Sequence, residues 1–189
     1  MNKKTKILIA VGGTGGHVFP GYNLAEHLVN EKYNVDLVTD LRGYKYIRKN
    51  TKFETFILPS SRLIQKNILT MILSSVLVFY SILRSVIFLI LNRPLIIFGM
   101  GGYASFPICI AATILRIKFI IYENNLIIGK ANKYLLSFAN KILVSHNEVQ
   151  GIPEKYEKKI IYIGNIIKKE IIKLSNKEKL IQSKEKLKV

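Results

Sequence analysis

Residues 12–20 read GGTGGHVFP, a glycine-rich turn that follows the apolar run at residues 7–11 and precedes an amphipathic segment. Glycine lets the backbone take positive φ angles and approach a ligand closely. The unpaired N–H groups and the dipole of a helix that starts here favour an anion such as a diphosphate. His17 stands where that helix begins, so its imidazole is a candidate proton acceptor beside a phosphate.

A second glycine-rich turn strengthens this interpretation. Residues 99–107 read GMGGYASFP, after the apolar run at residues 95–98 and before a helical segment. Open α/β folds bind their ligands at the carboxyl ends of parallel strands, so we expect both turns to face one crevice. A single turn of this kind is also compatible with a plain strand-to-helix connection carrying a surface histidine.

A nicotinamide or flavin dinucleotide site is the main competing interpretation. Asp40 ends the second apolar run, at the place where a ribose-binding acid stands in such sites. The pattern that begins at Gly13 and Gly15, however, continues to Val18 rather than to the third glycine of that fingerprint. The sequence therefore disfavours a dinucleotide site.

Composition narrows the partners of the chain. Its 189 residues are 49% hydrophobic with a mean hydropathy of +0.23, which indicates apolar surface left for a partner or a bilayer. A net charge of +17 points to nucleic acid, anionic lipid or a phosphorylated substrate. Basic residues are scattered and the aromatic residues have no regular spacing, so we expect no nucleic-acid binding. The single cysteine, Cys109, excludes a disulfide framework and a cysteine-based zinc site.

Apolar runs alternate with helical segments along the chain. This pattern predicts an α/β fold, a Rossmann-like parallel sheet with helices on both faces. The predicted strands cover residues 6–11, 35–39, 54–58, 95–98, 119–122, 141–144 and 160–163. The predicted helices cover residues 20–31, 43–49, 66–91, 106–115 and 129–138.

Residues 68–91 form an unusually apolar predicted helix, with Arg84 as its single charge. At about 1.5 Å per residue it is long enough to span a bilayer. Its small polar residues lie on one stripe of the helix; they are Thr70, Ser74, Ser81 and Ser85. The residues that flank it are basic, namely Arg62, Lys66 and Arg93. A span would separate the two glycine turns, so we expect a helix that packs on the sheet through this stripe and leans into an anionic membrane surface. A buried core helix and a true span remain open.

Four segments together resemble the N-terminal half of the MurG family. They are the two glycine-rich turns, the segment at residues 122–133 that begins Tyr-Glu-Asn-Asn, and Ile-Gly-Asn at residues 163–165. MurG transferases add N-acetylglucosamine (GlcNAc) to undecaprenyl-diphospho-MurNAc-pentapeptide, called lipid I, in peptidoglycan synthesis. The resemblance covers residues 6–165 in unbroken order.

The resemblance implies a domain of a GT-B glycosyltransferase, which has two Rossmann-like domains. Residues 1–165 would be the lipid-acceptor domain, peripheral on the cytoplasmic face of the bacterial inner membrane. Residues 166–189 would be a basic linker or tail, with the donor domain absent, so that UDP-GlcNAc would bind only through a missing half. The chain would then be a fragment, half of a split enzyme, a non-catalytic acceptor subunit or an inactive remnant.

The resemblance also implies roles for individual residues, with neither a cofactor nor a metal. His17 would be the general base, or would orient the acceptor hydroxyl, as the C4 oxygen of MurNAc attacks the anomeric carbon of GlcNAc with inversion. Glu123 is the alternative base within this chain. The matching substrate-binding positions are Gly12, Gly13, Thr14, Gly15, Gly16, Gly101, Gly102, Tyr103, Glu123 and Asn125. Two positions depart from the family pattern, because Tyr122 replaces a histidine and Ile166 replaces the proline of the linker.

Overall fold

Seven strands form one parallel sheet in the computed structural model, which describes residues 6–47, 52–60 and 68–167. The sheet order is β3-β2-β1-β4-β5-β6-β7, and every neighbouring pair is parallel. The strands are β1 (Lys6–Ala10), β2 (Asn34–Thr39), β3 (Glu54–Ile57), β4 (Ile96–Gly99), β5 (Lys118–Glu123), β6 (Lys141–Val144) and β7 (Ile160–Tyr162). The predicted parallel sheet is confirmed.

Five α-helices connect strands in the described part of the chain, and a 3-10 helix at Glu154–Lys159 precedes β7. They are α1 (Gly15–Asn30), α2 (Leu41–Tyr44), α3 (Ile68–Asn92), α4 (Ser105–Ile114) and α5 (Lys130–Leu135). Alternate residues of β1 point to opposite faces, with Ile7 and Ile9 against α1 and Leu8 against the cluster that holds α4. Helices therefore cover both faces of the sheet, as predicted.

The first helix begins five residues before the predicted start at Pro20. Proline lacks an N–H group, so the Gly16 carbonyl cannot receive the usual bond from the residue four positions later. Asn124 supplies the missing donor, because its side-chain Nδ2 donates to the Gly16 oxygen at 2.8 Å. A side chain from the end of β5 thus allows α1 to pass through Pro20.

The long apolar helix α3 packs inward through its small polar residues. Ser74, Ser81 and Ser85 are buried, and the hydroxyls of Ser81 and Ser85 donate to carbonyls one turn earlier in the helix. The stripe faces inward as predicted for these serines, but the predicted partner is wrong, because α3 lies chiefly along α4 rather than on the sheet. Phe88 and Leu89 reach the sheet core near its end.

The other side of α3 is exposed. The stretch Met71–Asn92 is long and apolar enough to cross a membrane, and 28% of its most apolar window is buried. Its exposed large apolar residues include Ile72, Leu73, Val76, Phe79, Leu83, Ile87 and Ile90. We call this surface the α3 apolar face.

Some predicted boundaries differ or fall outside the description. The predicted helix at 43–49 is α2, which begins at Leu41 because the Asp40 carboxylate caps it by accepting from the Gly43 N–H at 2.7 Å. The side chain of Thr70 and residues 48–49, 62 and 66–67 lie outside the described residues. So does the predicted basic tail, apart from Ile166 and Ile167.

Candidate functional site

The two glycine-rich turns meet at the point where the strand order reverses. β1 pairs with both β2 and β4, so the turn after β1 lies beside the turn after β4 at the carboxyl edge of the sheet. The Met100 N–H donates to the Ala10 carbonyl at 2.8 Å and fixes the second turn against the end of β1. Ligands of open α/β sheets bind in the crevice at this switch point.

At three glycine positions the two turns pack so closely that a side chain would clash. A Cβ at Gly12 would collide with the Ala104 side chain, and one at Gly102 would lie 2.5 Å from the Gly12 carbonyl oxygen. A Cβ at Gly101 would lie 2.9 Å from Nδ1 of His17. Gly101 and Gly102 also have φ angles of +84° and +77°, which side chains disfavour. These glycines therefore assemble the crevice, a role that the motif alone did not reveal.

The first turn leaves a helix N-terminus open. Thr14 is the exposed N-cap residue of α1, and its side chain makes no capping hydrogen bond. Within the described residues, the N–H groups of Gly15 and Gly16 have no acceptor, as is usual in the first turn of a helix. A Cβ at Gly16 would have open space apart from the Thr14 hydroxyl at 3.8 Å. This end of α1 can therefore hold an anion close to the backbone.

His17 is oriented by the second turn. Its Nδ1 lies 3.1 Å from the Met100 carbonyl oxygen, and because a carbonyl can only accept, Nδ1 carries the proton. Nε2 then has the free lone pair. Burial lowers the pKa of His17 and outweighs the opposing effects of Glu123 and of the Met100 hydrogen bond. The imidazole is thus neutral near pH 7 and can accept a proton at Nε2.

Glu123 organises the loop after β5 from inside the protein. It is 1% exposed, and one carboxylate oxygen accepts from the backbone N–H and side-chain amide of Asn125, at 3.0 and 2.7 Å. The other oxygen accepts from the Gly129 N–H at 2.8 Å and from Asn132 Nδ2 at 3.0 Å. Four donors match the four acceptor positions of an ionised carboxylate. In this arrangement Glu123 holds its own chain, rather than presenting an oxygen to a substrate.

The remaining predicted positions surround the crevice. Tyr103 lies in the turn before α4, half-buried, and its hydroxyl has no hydrogen-bond partner among the described residues. Asn125 is exposed, with its amide nitrogen turned toward Glu123. Gly13 has a φ of +83°, and its N–H donates to Asp40 Oδ1 at 3.3 Å.

Asp40 supports the first glycine turn and was not predicted to do so. Besides Gly13 and Gly43, its carboxylate accepts from Arg42 at 2.7 and 3.0 Å and from the Ser60 hydroxyl at 2.7 Å. Burial raises the pKa of Asp40, but these donors outweigh burial and leave the pKa lowered. An Asp between the end of a strand and the start of a helical segment is a detectable N-cap signal. Because both carboxylate oxygens of Asp40 already accept hydrogen bonds from the protein, the structure agrees with the sequence argument against a ribose site.

Asn124 was the other position missed, and Pro20 was the available signal, because a proline in the second turn of a helix leaves one carbonyl in need of a donor.

Tyr122, the residue that departs from the family pattern, ties β5 to the segment after β7. Its hydroxyl donates to the Gly164 carbonyl at 3.3 Å and accepts from the Ile166 N–H at 3.4 Å. No group of three or more His, Cys, Asp or Glu side chains suited to a metal occurs in residues 6–47, 52–60 and 68–167.

Comparisons with known proteins agree with this architecture. Residues 7–144 match the glycosyltransferase family 28 N-terminal domain. The UDP-N-acetylglucosamine–N-acetylmuramyl-(pentapeptide) pyrophosphoryl-undecaprenol N-acetylglucosamine transferase of Rickettsia typhi is 37% identical over 171 residues, covering 90% of this chain and 43% of that protein. The protein of the same name from Rickettsia felis is 39% identical over 171 residues, covering 88% and 45%.

The crystal structure of MurG from Acinetobacter baumannii superposes with a TM-score of 0.70 at 19% identity, covering 87% of this chain and 47% of that one. The chain thus spans a little under half the length of the curated relatives it matches. The expected fold, the N-terminal domain of a GT-B glycosyltransferase, is confirmed. On the family match and these likenesses, the chain belongs to glycosyltransferase family 28, with the resemblance to the N-terminal half of MurG confirmed.

Proposed function

We propose that this chain forms the acceptor-binding half of a MurG-type N-acetylglucosaminyltransferase. The observation that carries the proposal is the junction of two glycine-rich turns at the β1/β4 switch point, where a histidine with a free Nε2 stands beside the open N-terminus of α1. The Rickettsia relatives are named for transfer of N-acetylglucosamine to a pyrophosphoryl-undecaprenol acceptor. The acceptor would be lipid I and the donor UDP-GlcNAc.

In this proposal the N-terminus of α1 and the side chain of His17 have separate tasks. The N–H groups of Gly15 and Gly16, with the positive end of α1, would hold the acceptor diphosphate. The acceptor hydroxyl would attack the anomeric carbon of GlcNAc as its proton passes to Nε2 of His17, while the bond to UDP breaks and UDP leaves with the electron pair. The configuration at that carbon would be inverted.

The other predicted residues would support this centre. Gly12, Gly101 and Gly102 would keep the turns close enough for His17 to reach the substrate. Tyr103 offers a free hydroxyl to the acceptor. Glu123 would be a positioning residue, because it holds Asn125 and the start of α5 and favours the protonated imidazolium electrostatically.

The α3 apolar face would meet the membrane that carries the acceptor. No Asp or Glu stands between Glu54 and Glu123 in the sequence, whereas six Lys and Arg residues do. An apolar surface within an acid-free, basic stretch suits a peripheral site on an anionic membrane such as the cytoplasmic face of the inner membrane. We assign residues 1–165 to the acceptor domain and residues 166–189 to a basic linker.

The first prediction concerns activity. Donor binding would depend on the half of the relatives that this chain does not match, so the 189-residue chain alone should not transfer GlcNAc to a lipid I analogue. Joining residues 1–165 to the C-terminal half of the Rickettsia typhi relative should produce transfer, measured by release of UDP. Turnover by the 189-residue chain alone would contradict this division of labour.

A further inference from the structure

The chain crosses the carboxyl edge of the sheet after β7. The Ile163 N–H continues the pairing of β7 with β6, because it donates to the Val144 carbonyl at 3.0 Å. Gly164 then takes a φ of +74°, and Ile166 packs against the core cluster on the α1 side of the sheet. We call residues 163–167 the exit segment, since the chain leaves the sheet through it.

The exit segment reaches the start of α1. Ile166 and Ile167 line a cavity of about 430 Å³ together with Gly15, Gly16 and Phe19. β7 is an edge strand, and β4, β5 and β6 separate it from β1. The exit segment therefore brings the chain back from the edge of the sheet to the crevice.

Tyr122, near the end of β5, holds the exit segment at its middle. It is 2% exposed, and its hydroxyl donates to the Gly164 carbonyl at 3.3 Å and accepts from the Ile166 N–H at 3.4 Å. Burial raises the pKa of Tyr122, so the hydroxyl keeps its proton near pH 7 and can both donate and accept. One side chain thus fixes two backbone groups of the exit segment.

This contact joins the two positions at which the sequence departs from the family pattern. Tyr122 stands in place of a histidine, and Ile166 stands in place of a proline. A proline at position 166 would have no N–H to donate to the hydroxyl. The long-range hydrogen bond therefore restrains the exit segment where a proline ring would restrain it locally.

We infer that Tyr122 is a positioning residue of the proposed transferase, which fixes the exit segment and with it the direction in which the chain leaves residue 167. The inference rests on the proposed function, in which a donor half must be aligned with this domain. Misplacement of reacting groups by about 1 Å can cost about 100-fold in rate. A loosened exit segment should therefore slow transfer, while the contacts of the acceptor with α1 remain.

Amide hydrogen exchange in the 189-residue chain tests the hydrogen bond directly. Tyr122→Phe should speed exchange of the Ile166 amide about tenfold, because the N–H loses its acceptor. The Ile121 amide of β5 should exchange as in the parent, which shows that the sheet is intact. Tyr162→Phe is the matched control, since it removes an exposed hydroxyl that has no hydrogen-bond partner among the described residues, and it should change Ile166 exchange less than twofold.

Turnover tests the positioning role, in a fusion of residues 1–167 to the C-terminal half of the Rickettsia typhi relative. Tyr122→Phe and Ile166→Pro should each lower kcat about tenfold and leave the acceptor KM within twofold. Each variant removes the same hydrogen bond, so the two effects should not add. In the Tyr122→Phe background, Ile166→Pro should lower kcat less than threefold.

Three outcomes would overturn the inference. Unchanged exchange of the Ile166 amide in Tyr122→Phe would show that the hydroxyl does not hold the exit segment. Faster exchange at both Ile166 and Ile121 would give Tyr122 a role in the core alone. Unchanged kcat in Tyr122→Phe, or additive losses in the double variant, would exclude the positioning role. An inactive parent fusion would count against the proposed function instead, and Ile166 exchange would still decide whether Tyr122 fixes the exit segment.

Discussion

At the scale of single residues, four glycines of the two turns divide into two groups. Gly12, Gly101 and Gly102 allow contacts within the protein, whereas Gly16 has space for a side chain that the fold does not need. The sequence motif does not distinguish these groups, because both consist of glycines. Substituting the glycines one at a time can show which are required by the fold and which leave space for a ligand.

Gly16→Ala should raise the free energy of unfolding slightly, by about 0.5–1 kcal/mol, because alanine favours a helix over glycine. It should weaken binding of a lipid I analogue about tenfold, because the methyl group keeps the diphosphate from the backbone. Gly102→Ala should instead destabilise the fold by about 1–2 kcal/mol, since its φ of +77° disfavours a side chain. Denaturant unfolding and calorimetric titration measure the two effects. Unchanged acceptor binding in Gly16→Ala would place the diphosphate elsewhere.

The contact between Asn124 and the Gly16 carbonyl gives a third prediction. Asn124→Ala should cost about 1 kcal/mol of unfolding free energy in the parent, because it leaves the carbonyl without its donor. In a Pro20→Ala background the new N–H can bond to the same carbonyl, so the cost of Asn124→Ala should fall below half. A double-mutant cycle measures this difference. Equal costs in both backgrounds would show that Asn124 does not compensate for the proline.

At the scale of elements, α3 combines two unlike surfaces. On one side, Ser81 and Ser85 are buried, and their hydroxyls donate to carbonyl groups of the same helix. On the other side, the α3 apolar face is exposed. Apolar patches of this kind on a protein surface mark sites of interaction with a partner or a membrane. The α3 apolar face is therefore a candidate site for such an interaction.

The double substitution Phe79→Ser and Leu83→Ser should reduce sedimentation with phosphatidylglycerol vesicles at least tenfold, because both side chains are about half exposed or more and lose apolar contact with lipid. Binding of the parent should also weaken as salt rises. Ile114→Ser with Ile161→Ser is the control, since both residues are exposed outside α3. Equal binding of the two double variants would contradict a membrane role for α3.

At the scale of the whole molecule, most of the fold follows from residue patterns. Short apolar runs and glycine turns mark the seven strands, and the crevice follows from parallel strands with turns at one edge. The first residues of the helices are harder to predict from the sequence, because they depend on hydrogen bonds to other parts of the chain. α1 passes through Pro20 because Asn124, which is 108 residues beyond Gly16 in the sequence, donates to the Gly16 carbonyl. α2 begins early because Asp40 caps it.

The candidate site shows the same limit. His17 and the glycines stand out by type and spacing, whereas the local pattern does not show that Glu123 faces inward with four donors. The free nitrogen of His17 is likewise fixed by Met100, on the other turn. Residue type indicates the chemistry, and long-range contacts decide which atoms are available for it.

The central claim is that His17 accepts the acceptor proton, and the turnover of His17→Ala in the fused transferase tests it most directly. We predict a fall in kcat of about 10²–10⁴-fold with the acceptor KM nearly unchanged. Because burial lowers the pKa of His17 below its usual value of about 6.5, the kcat of the parent should decline as the pH falls, with a midpoint below pH 6.5. His17→Ala should lack that decline. A variant as active as the parent would contradict the claim, and one that kept kcat but lost acceptor affinity would make the imidazole a ligand of the diphosphate.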